Sequence, residues 1–158
     1  MPGPTLALRD SNVRTPPELS PPMRKLSPLV GTWDVTIRWS EATHRLAGGP
    51  REVKTRAKFS WLDRGGVLHY QIGPSHWLIA RDQTDEQYTI LYTDERRVSR
   101  IYHMSFARGV WKIWRSAPGF RQRFEGRLDG TGRTIVAKWD KAEGRKPWAL
   151  DFDMVFRR

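Results

Sequence analysis

Residues 29–39 read LVGTWDVTIRW, and this stretch decides the fold. Large apolar side chains stand at every second position, as Trp33, Val35, Ile37 and Trp39, with polar side chains between them. A period of two is typical of a β-strand that buries one face and exposes the other. The chain therefore enters its ordered part as a strand, with two tryptophans on the buried face.

The same period of two continues through the rest of the sequence. Turn signals such as Gly73-Pro74 and Pro118-Gly119 separate the short alternating segments. There are about ten such segments with short connections, which is typical of an antiparallel meander. Because a row of about ten strands would leave open edges, we predict an all-β fold closed into a single up-and-down barrel. An open sandwich is the alternative.

Composition narrows the class of protein. The chain has 158 residues, which suits one domain, and a net charge of +11 from 28 Lys and Arg against 17 Asp and Glu. The basic residues are scattered rather than clustered, so we interpret them as a solvated surface. No apolar window is long enough for a membrane helix. The absence of cysteine excludes disulfides and thiol catalysis and fits a cytoplasmic protein.

The first 25 residues differ from the remainder. They contain the pairs Pro16-Pro17 and Pro21-Pro22 and few large apolar side chains. Such a segment buries too little surface to offset the entropy of ordering, so we predict a disordered tail over residues 1–25. A barrel domain is then predicted over residues 26–158, entered through a short helical turn between Met23 and Leu29.

Several segments together resemble a known family. LSPLVGTWDVTIRW carries the Gly-x-Trp of lipocalins, and YTILYTDERRVSRIYHMSF, Arg-Phe-x-Gly and the final WALDF follow in order. From Leu26 to Arg158 the chain resembles a bacterial lipocalin-like family of unknown function in the calycin superfamily. The resemblance implies a closed antiparallel barrel, like those of lipocalins and fatty-acid-binding proteins, that holds a small apolar molecule. It implies no reaction.

Nitrobindin-like haem proteins share this architecture and use a histidine late in the chain as the axial iron ligand. The last histidine here is His103, and the segments 133–140 and 147–157 contain none. We therefore expect no haem and no other cofactor. His69, His76 and His103 lack the spacing of a metal site, so no metal is predicted either.

Polar residues in phase with aromatic ones are the candidates for binding. Gln122 lies between Phe120 and Phe124, and Arg100 is in phase with Tyr102. An arginine inside a barrel beside a tyrosine would bind a carboxylate through charge-assisted hydrogen bonds. The alternation does not decide whether Arg100 or His103 points inward on this segment.

The predicted ligand-binding residues combine these polar groups with the inward aromatic side chains: Gln122, Arg100, Tyr102, His103, Trp39, Phe59, Trp61, Tyr88, Phe124 and Trp139. Trp33, Trp148 and Phe152 are expected to line the core or the pocket with them. The acidic side chains Asp34, Asp151, Asp153 and Glu125 are out of phase with the apolar residues of their strands. We expect these four to face solvent.

Three functions remain open from the sequence. The first is binding of a small hydrophobic molecule in the barrel, and the second is an accessory enzyme of metabolite biosynthesis. Such a cyclase, isomerase or dehydratase would act by positioning its substrate, so no catalytic motif is required. The third and weakest is nucleic-acid binding through basic surface near Trp111 or Trp114. The sequence does not indicate the ligand, the oligomeric state or whether a reaction occurs.

Overall fold

The computed structural model of the protein describes residues 19–82 and 84–158, apart from the side chain of Asp63. Ten strands follow one another: β1 (Gly31–Trp39), β2 (Glu52–Leu62), β3 (Val67–Ile72), β4 (Ser75–Arg81), β5 (Tyr88–Thr93), β6 (Ser99–Ala107), β7 (Val110–Ala117), β8 (Phe120–Leu128), β9 (Thr134–Glu143) and β10 (Ala149–Arg157). Two short helices, α1 (Pro21–Arg24) and α2 (Glu41–Ala47), and 3-10 turns at Ser27–Leu29 and Asp63–Gly65 complete the fold.

Each strand pairs antiparallel with the next, and β10 returns to pair with β1, so the sheet is a closed barrel. The predicted all-β meander barrel is confirmed, and the open sandwich is wrong. Within the described ranges no helix is long and apolar enough to cross a membrane. One end of the barrel carries α1, and the other, which we call the open end, carries α2.

The segment before β1 plugs the end of the barrel opposite the open end. Met23, Leu26 and Leu29 are all buried there. The Tyr88 hydroxyl donates a hydrogen bond of 2.6 Å to the Pro22 carbonyl oxygen. The predicted start of the ordered domain at residue 26 is therefore too late, because apolar side chains before it already pack against the barrel. The rest of the predicted tail, residues 1–18, lies outside the described residues.

The Gly-x-Trp pattern serves this closed end. Gly31 has a φ of +125°, a conformation that favours glycine, and turns the chain into β1. Two residues later the Trp33 indole Nε1 donates to the Leu29 carbonyl oxygen at 2.9 Å. The Arg158 guanidinium lies 4.0 Å from the centre of the Trp33 ring and donates to the Val30 carbonyl oxygen. Trp33 is thus structural.

Aromatic side chains fill the half of the barrel next to this plug. Trp111 is buried with its ring edge-on to Phe59 and Phe124, at centroid distances of 5.7 and 4.6 Å. Gly126 is paired with Trp111 across β7 and β8. A Cβ atom at Gly126 would lie 3.1 Å from both Phe124 and Ile135, so this glycine makes room for the packed rings. This half of the barrel holds core and not a pocket.

The last strand departs from its predicted pattern. A β-bulge between Leu150 and Phe152 shifts the register against β9 by one residue. Side chains before the bulge therefore change face. Trp148 lies on the outer surface, where the Arg123 guanidinium stacks 4.3 Å from its ring centre, and Leu150 is 38% exposed. The prediction that Trp148 lines the interior is wrong for this reason.

Candidate functional site

The open end of the barrel contains a cavity of about 300 Å³. This volume is at the lower end of the range of about 300–1,000 Å³ found for small-molecule sites. Its walls come from the inner faces of seven strands and from the β3–β4 turn: Ile37, Val53, Thr55, Tyr70, Ile72, Gly73, Pro74, Ser75, Trp77, Tyr92, Trp139, Phe152 and Met154. Most of these side chains are apolar or aromatic, so the cavity suits an apolar molecule.

Tyr70 supplies a polar group to this cavity. The residue is only 4% exposed, and its ring stacks on Phe59 at a centroid distance of 4.3 Å. Its hydroxyl forms no hydrogen bond with any described residue, and burial raises its pKa well above the usual range. The ring is buried, but the hydroxyl oxygen keeps access to the cavity, because Trp111 Nε1 is the only buried side-chain polar atom without a partner among the described residues. The Tyr70 hydroxyl is therefore free to donate to an acceptor atom of a bound molecule.

Tyr92 forms the edge of the cavity towards the β5–β6 turn. Its hydroxyl donates to Oδ2 of Asp94 at 2.7 Å, and the Arg96 guanidinium donates to the same oxygen. Hydrogen bonding to Arg96 lowers the pKa of Asp94, so this carboxylate stays ionised. Burial, and then the bond to Asp94, raise the pKa of Tyr92 to about 12. This network fixes the Tyr92 ring in the cavity wall.

A polar cluster lies beside the cavity on the inner face of β6 and β8. The Tyr102 hydroxyl donates to Oε1 of Gln122 at 2.8 Å, and the Arg100 guanidinium donates to the same oxygen at 3.2 Å. Tyr102 is buried, while Arg100 and Gln122 are half-buried. Arg100 and Tyr102 therefore face inward on β6, a choice that the alternation alone did not decide. Arg100 forms no ion pair with a carboxylate of the described chain.

Two further cations share this inner wall. Gln122 is paired with Arg115 on β7 and with Lys141 on β9, so all three lie on one face. The Lys141 ammonium group lies 3.4 Å from Oδ1 of Asp151, and Thr43 Oγ1 donates to that oxygen at 2.8 Å. The second contact ties α2 to the rim of the barrel. Sequence alternation gave no reason to single out Arg115 or Lys141.

Asp151 does not face solvent, contrary to the prediction from its sequence position. Its side chain is 13% exposed and paired, although its position in the alternation places it outside. The bulge in β10 explains the change of face. The other acidic residues agree with expectation where a partner is seen, as Asp34 pairs with Arg56 and Glu125 with Arg127 on the outer surface.

An aromatic partition separates the cavity from the polar cluster. Trp77 and Trp139 line the cavity, and their ring centres lie 5.1 and 5.9 Å from that of Tyr102. Tyr102 in turn holds Gln122 on the other side of this wall. Arg100, Tyr102 and Gln122 do not line the cavity themselves, so a molecule would reach the amide and guanidinium groups only by extending past this wall.

The predicted binding residues divide by their place in the barrel. Trp139 lines the cavity, and Arg100, Tyr102 and Gln122 form the adjoining cluster. Trp39 packs against Phe152 at the rim, with ring centres 4.6 Å apart. The remaining aromatic candidates are core residues, with Phe59, Trp61 and Tyr88 in the plugged half and Phe124 between Trp111 and Trp139.

His103 does not face the interior, and its predicted place among the lining residues is wrong. It is exposed on the outer face of β6 and stacks on Trp114 of β7 at 6.0 Å. Since Arg100, Tyr102 and Met104 occupy the inward phase of β6, the residues between them must point outward. His69 and His76 also lie on the outer surface, with His69 Nε2 2.9 Å from His76 Nδ1.

The described residues contain no cluster of three or more side chains suited to hold a metal ion. The expectation that the protein uses no haem or other cofactor stays a prediction. Among the described residues, the groups that remain for chemistry at the open end are the hydroxyls of Tyr70 and Thr55, the Gln122 amide and several cations. These groups can bind an acceptor atom or an anion.

Comparison with known proteins supports the fold. No family model matches the sequence, and no curated protein matches it. The crystal structure of Rv2717c from M. tuberculosis is similar to this barrel, with a TM-score of 0.54 and 13% sequence identity. The match covers 89% of this chain and 99% of that chain. At this identity the likeness shows a shared fold alone.

Proposed function

We propose that the barrel binds a small apolar molecule bearing a carbonyl or carboxylate group at its open end. The observation that carries the proposal is the hydroxyl of Tyr70, a residue that lines an aromatic cavity, which has no described hydrogen-bond partner. An apolar ligand with one acceptor atom would supply a hydrogen-bond partner for this hydroxyl. The proposal includes membership of the lipocalin-like family that the sequence resembles, and a cytoplasmic location.

The size of the cavity limits the ligand. A volume of about 300 Å³ accommodates a single ring or a short chain rather than a steroid or a haem. Trp77, Trp139 and Phe152 would cover the faces of such a group. Burial of its apolar surface supplies the affinity, at about 25 cal/mol per Å².

The polar cluster supports an acidic or carbonyl head group. Oε1 of Gln122 already accepts two hydrogen bonds, from Tyr102 and Arg100, so the amide Nε2 remains as a donor. Arg100 retains guanidinium donors and lacks a carboxylate partner among the described residues. Charge-assisted hydrogen bonds from such an arginine are about twice as strong as neutral ones.

Calorimetric titration with 4-phenylbutyrate tests the proposal. We expect saturable binding to the wild-type protein and weaker binding to Tyr70→Phe, by about threefold to tenfold for one lost hydrogen bond. Tyr88→Phe is the matched control, since it removes a hydroxyl in the plugged half. Native mass spectrometry of gently purified protein would reveal a retained small molecule. The proposal fails if the folded protein retains nothing and binds neither this probe nor short aliphatic acids.

The enzymatic alternative shares the same site. It requires that the bound molecule leave in altered form, whereas a binding protein returns it unchanged. Chromatography of the probe after long incubation with the protein separates the two functions. No feature of the described residues favours turnover, so binding is the function that we propose.

A further inference from the structure

The outer surface of four adjacent strands carries no charged residue. Outward-facing side chains read Val-His-Gln on β3, His-Leu-Ala on β4, Thr-Leu-Thr on β5 and Ser-Ile-His-Ser-Ala on β6. Lysine, arginine, aspartate and glutamate are all absent from these described positions. We call this surface the uncharged face.

The remaining outer surface is different in kind. Outward positions of β2 from Glu52 to Lys58 read Glu-Lys-Arg-Lys, and those of β8 from Arg121 to Arg127 read Arg-Arg-Glu-Arg. The chain as a whole carries a net charge of +11. The uncharged face therefore differs from the rest of the outer surface, which carries many basic side chains.

An apolar row crosses the uncharged face. Leu78 on β4 is paired with Leu91 on β5, and Leu91 is paired with Ile101 on β6. Leu91 is 45% exposed and Ile101 is 51% exposed. Adjacent exposed apolar side chains without charge among them are typical of the centre of a protein interface.

We propose that the uncharged face is the contact surface of a homodimer. The identity of the partner follows from charge. An acidic protein or an anionic membrane would be attracted to the basic strands, where potentials complement each other. A second copy of this chain carries the same positive charge, and like charges repel wherever basic strands meet. The uncharged face lets two copies approach without that repulsion.

The apolar row fits a two-fold arrangement. In a symmetric dimer the same patch serves both subunits. An axis near Leu91, the middle member of the row, sets Leu78 against Ile101 of the second copy. All three side chains of the row are then buried in the interface.

The area of the uncharged face determines how tightly the two copies are expected to bind. Four strands spaced about 4.8 Å apart, each with some six residues in contact, cover about 400 Å² of sheet. A standard interface buries about 800 Å² on each partner. We therefore expect a weak dimer whose population rises with protein concentration.

Sedimentation velocity across a concentration series reaching the millimolar range tests the proposal. Wild-type protein should shift from monomer to dimer, and Leu91→Lys with Ile101→Lys should remain monomeric. Val136→Lys is the matched control, since Val136 is 60% exposed on β9, outside the uncharged face. It should dimerise as the wild type does. Circular dichroism establishes that each variant is folded.

A cysteine scan tests the same surface without adding charge. The chain has no cysteine, so Leu91→Cys introduces a single thiol near the expected axis. Under mild oxidation this variant should form a disulfide-linked dimer faster than Val136→Cys. The proposal is overturned by a monomer at every concentration, by dimers that survive both lysines, or by equal cross-linking of the two cysteine variants. Flotation of monomer with neutral phosphatidylcholine vesicles, lost in Leu91→Lys with Ile101→Lys, would assign the face to a membrane instead.

Discussion

The Tyr102 hydroxyl donates a hydrogen bond of 2.8 Å to Oε1 of Gln122, across the intervening strand β7. This bond orients the amide so that its nitrogen is left as a donor. Tyr102 also packs against Trp77 and Trp139 of the cavity wall. One tyrosine thus connects the apolar cavity to the polar cluster, and both are expected to respond to the same ligand.

Gln122→Leu should weaken binding of an acidic probe while keeping the shape of the wall. The variant removes the acceptor for Tyr102 and Arg100 and the donor for the ligand, at a cost of about 1–3 kcal/mol in binding free energy. Calorimetry with 4-phenylbutyrate and its neutral amide measures the effect. The acid should lose more affinity than the amide, and equal losses would contradict a role for this cluster in head-group recognition.

Val53→Phe should abolish probe binding without loss of stability. Val53 lines the cavity, and a phenyl ring in its place occupies the volume that the ligand needs. Filling a void also gains contacts, so the midpoint of thermal unfolding should stay equal or rise. Val136→Phe makes the same change on the outer surface and should leave binding intact. Unchanged affinity in the Val53 variant would place the ligand elsewhere.

Gly126→Ala should destabilise the barrel by about 1–3 kcal/mol, as expected for overpacking of a filled core. The added methyl group would lie 3.1 Å from Phe124 and from Ile135. Urea denaturation of both variants measures the free energy of unfolding. Gly130→Ala, in the β8–β9 turn, is the control, because a Cβ atom added at Gly130 would meet no other part of the protein within 4 Å. It should change the free energy of unfolding by less than about 0.5 kcal/mol. Similar losses in the two variants would refute the packing argument.

Stability should fall as the pH drops below the usual histidine pKa of about 6.5. Burial, followed by the nearby His76 and Lys58, lowers the pKa of His69 in the folded protein. When a group has a lower pKa in the folded than in the unfolded protein, the unfolded state binds more protons as the pH falls. The free energy of unfolding is therefore highest above the unfolded pKa and decreases below it. The thermal midpoint of His69→Gln should therefore depend less on pH than that of the wild type. An equal pH dependence of the two proteins would contradict this account.

The alternation of residues predicted the barrel and the inward position of Gln122, but it left open whether Arg100 and Tyr102 or His103 face inward. It could not predict the change of face at Leu150, because a β-bulge shifts the phase without a distinctive residue. Trp148 and Asp151 were misplaced for that reason. Nor does alternation show which inward residues lie near the open end. That depends on the register between strands, so Tyr70 was missed as a cavity residue.

The pairing of β1 with β10 has a consequence for how the molecule folds. Val35 meets Phe156, so the seam of the barrel joins segments that are nearly as far apart in sequence as the described chain allows. Contacts of such long range are costly in chain entropy, and proteins rich in them fold slowly. Neighbouring hairpins can form early, but the cylinder exists only once its first and last strands meet. Destabilising substitutions along this seam should therefore speed unfolding more than they slow folding.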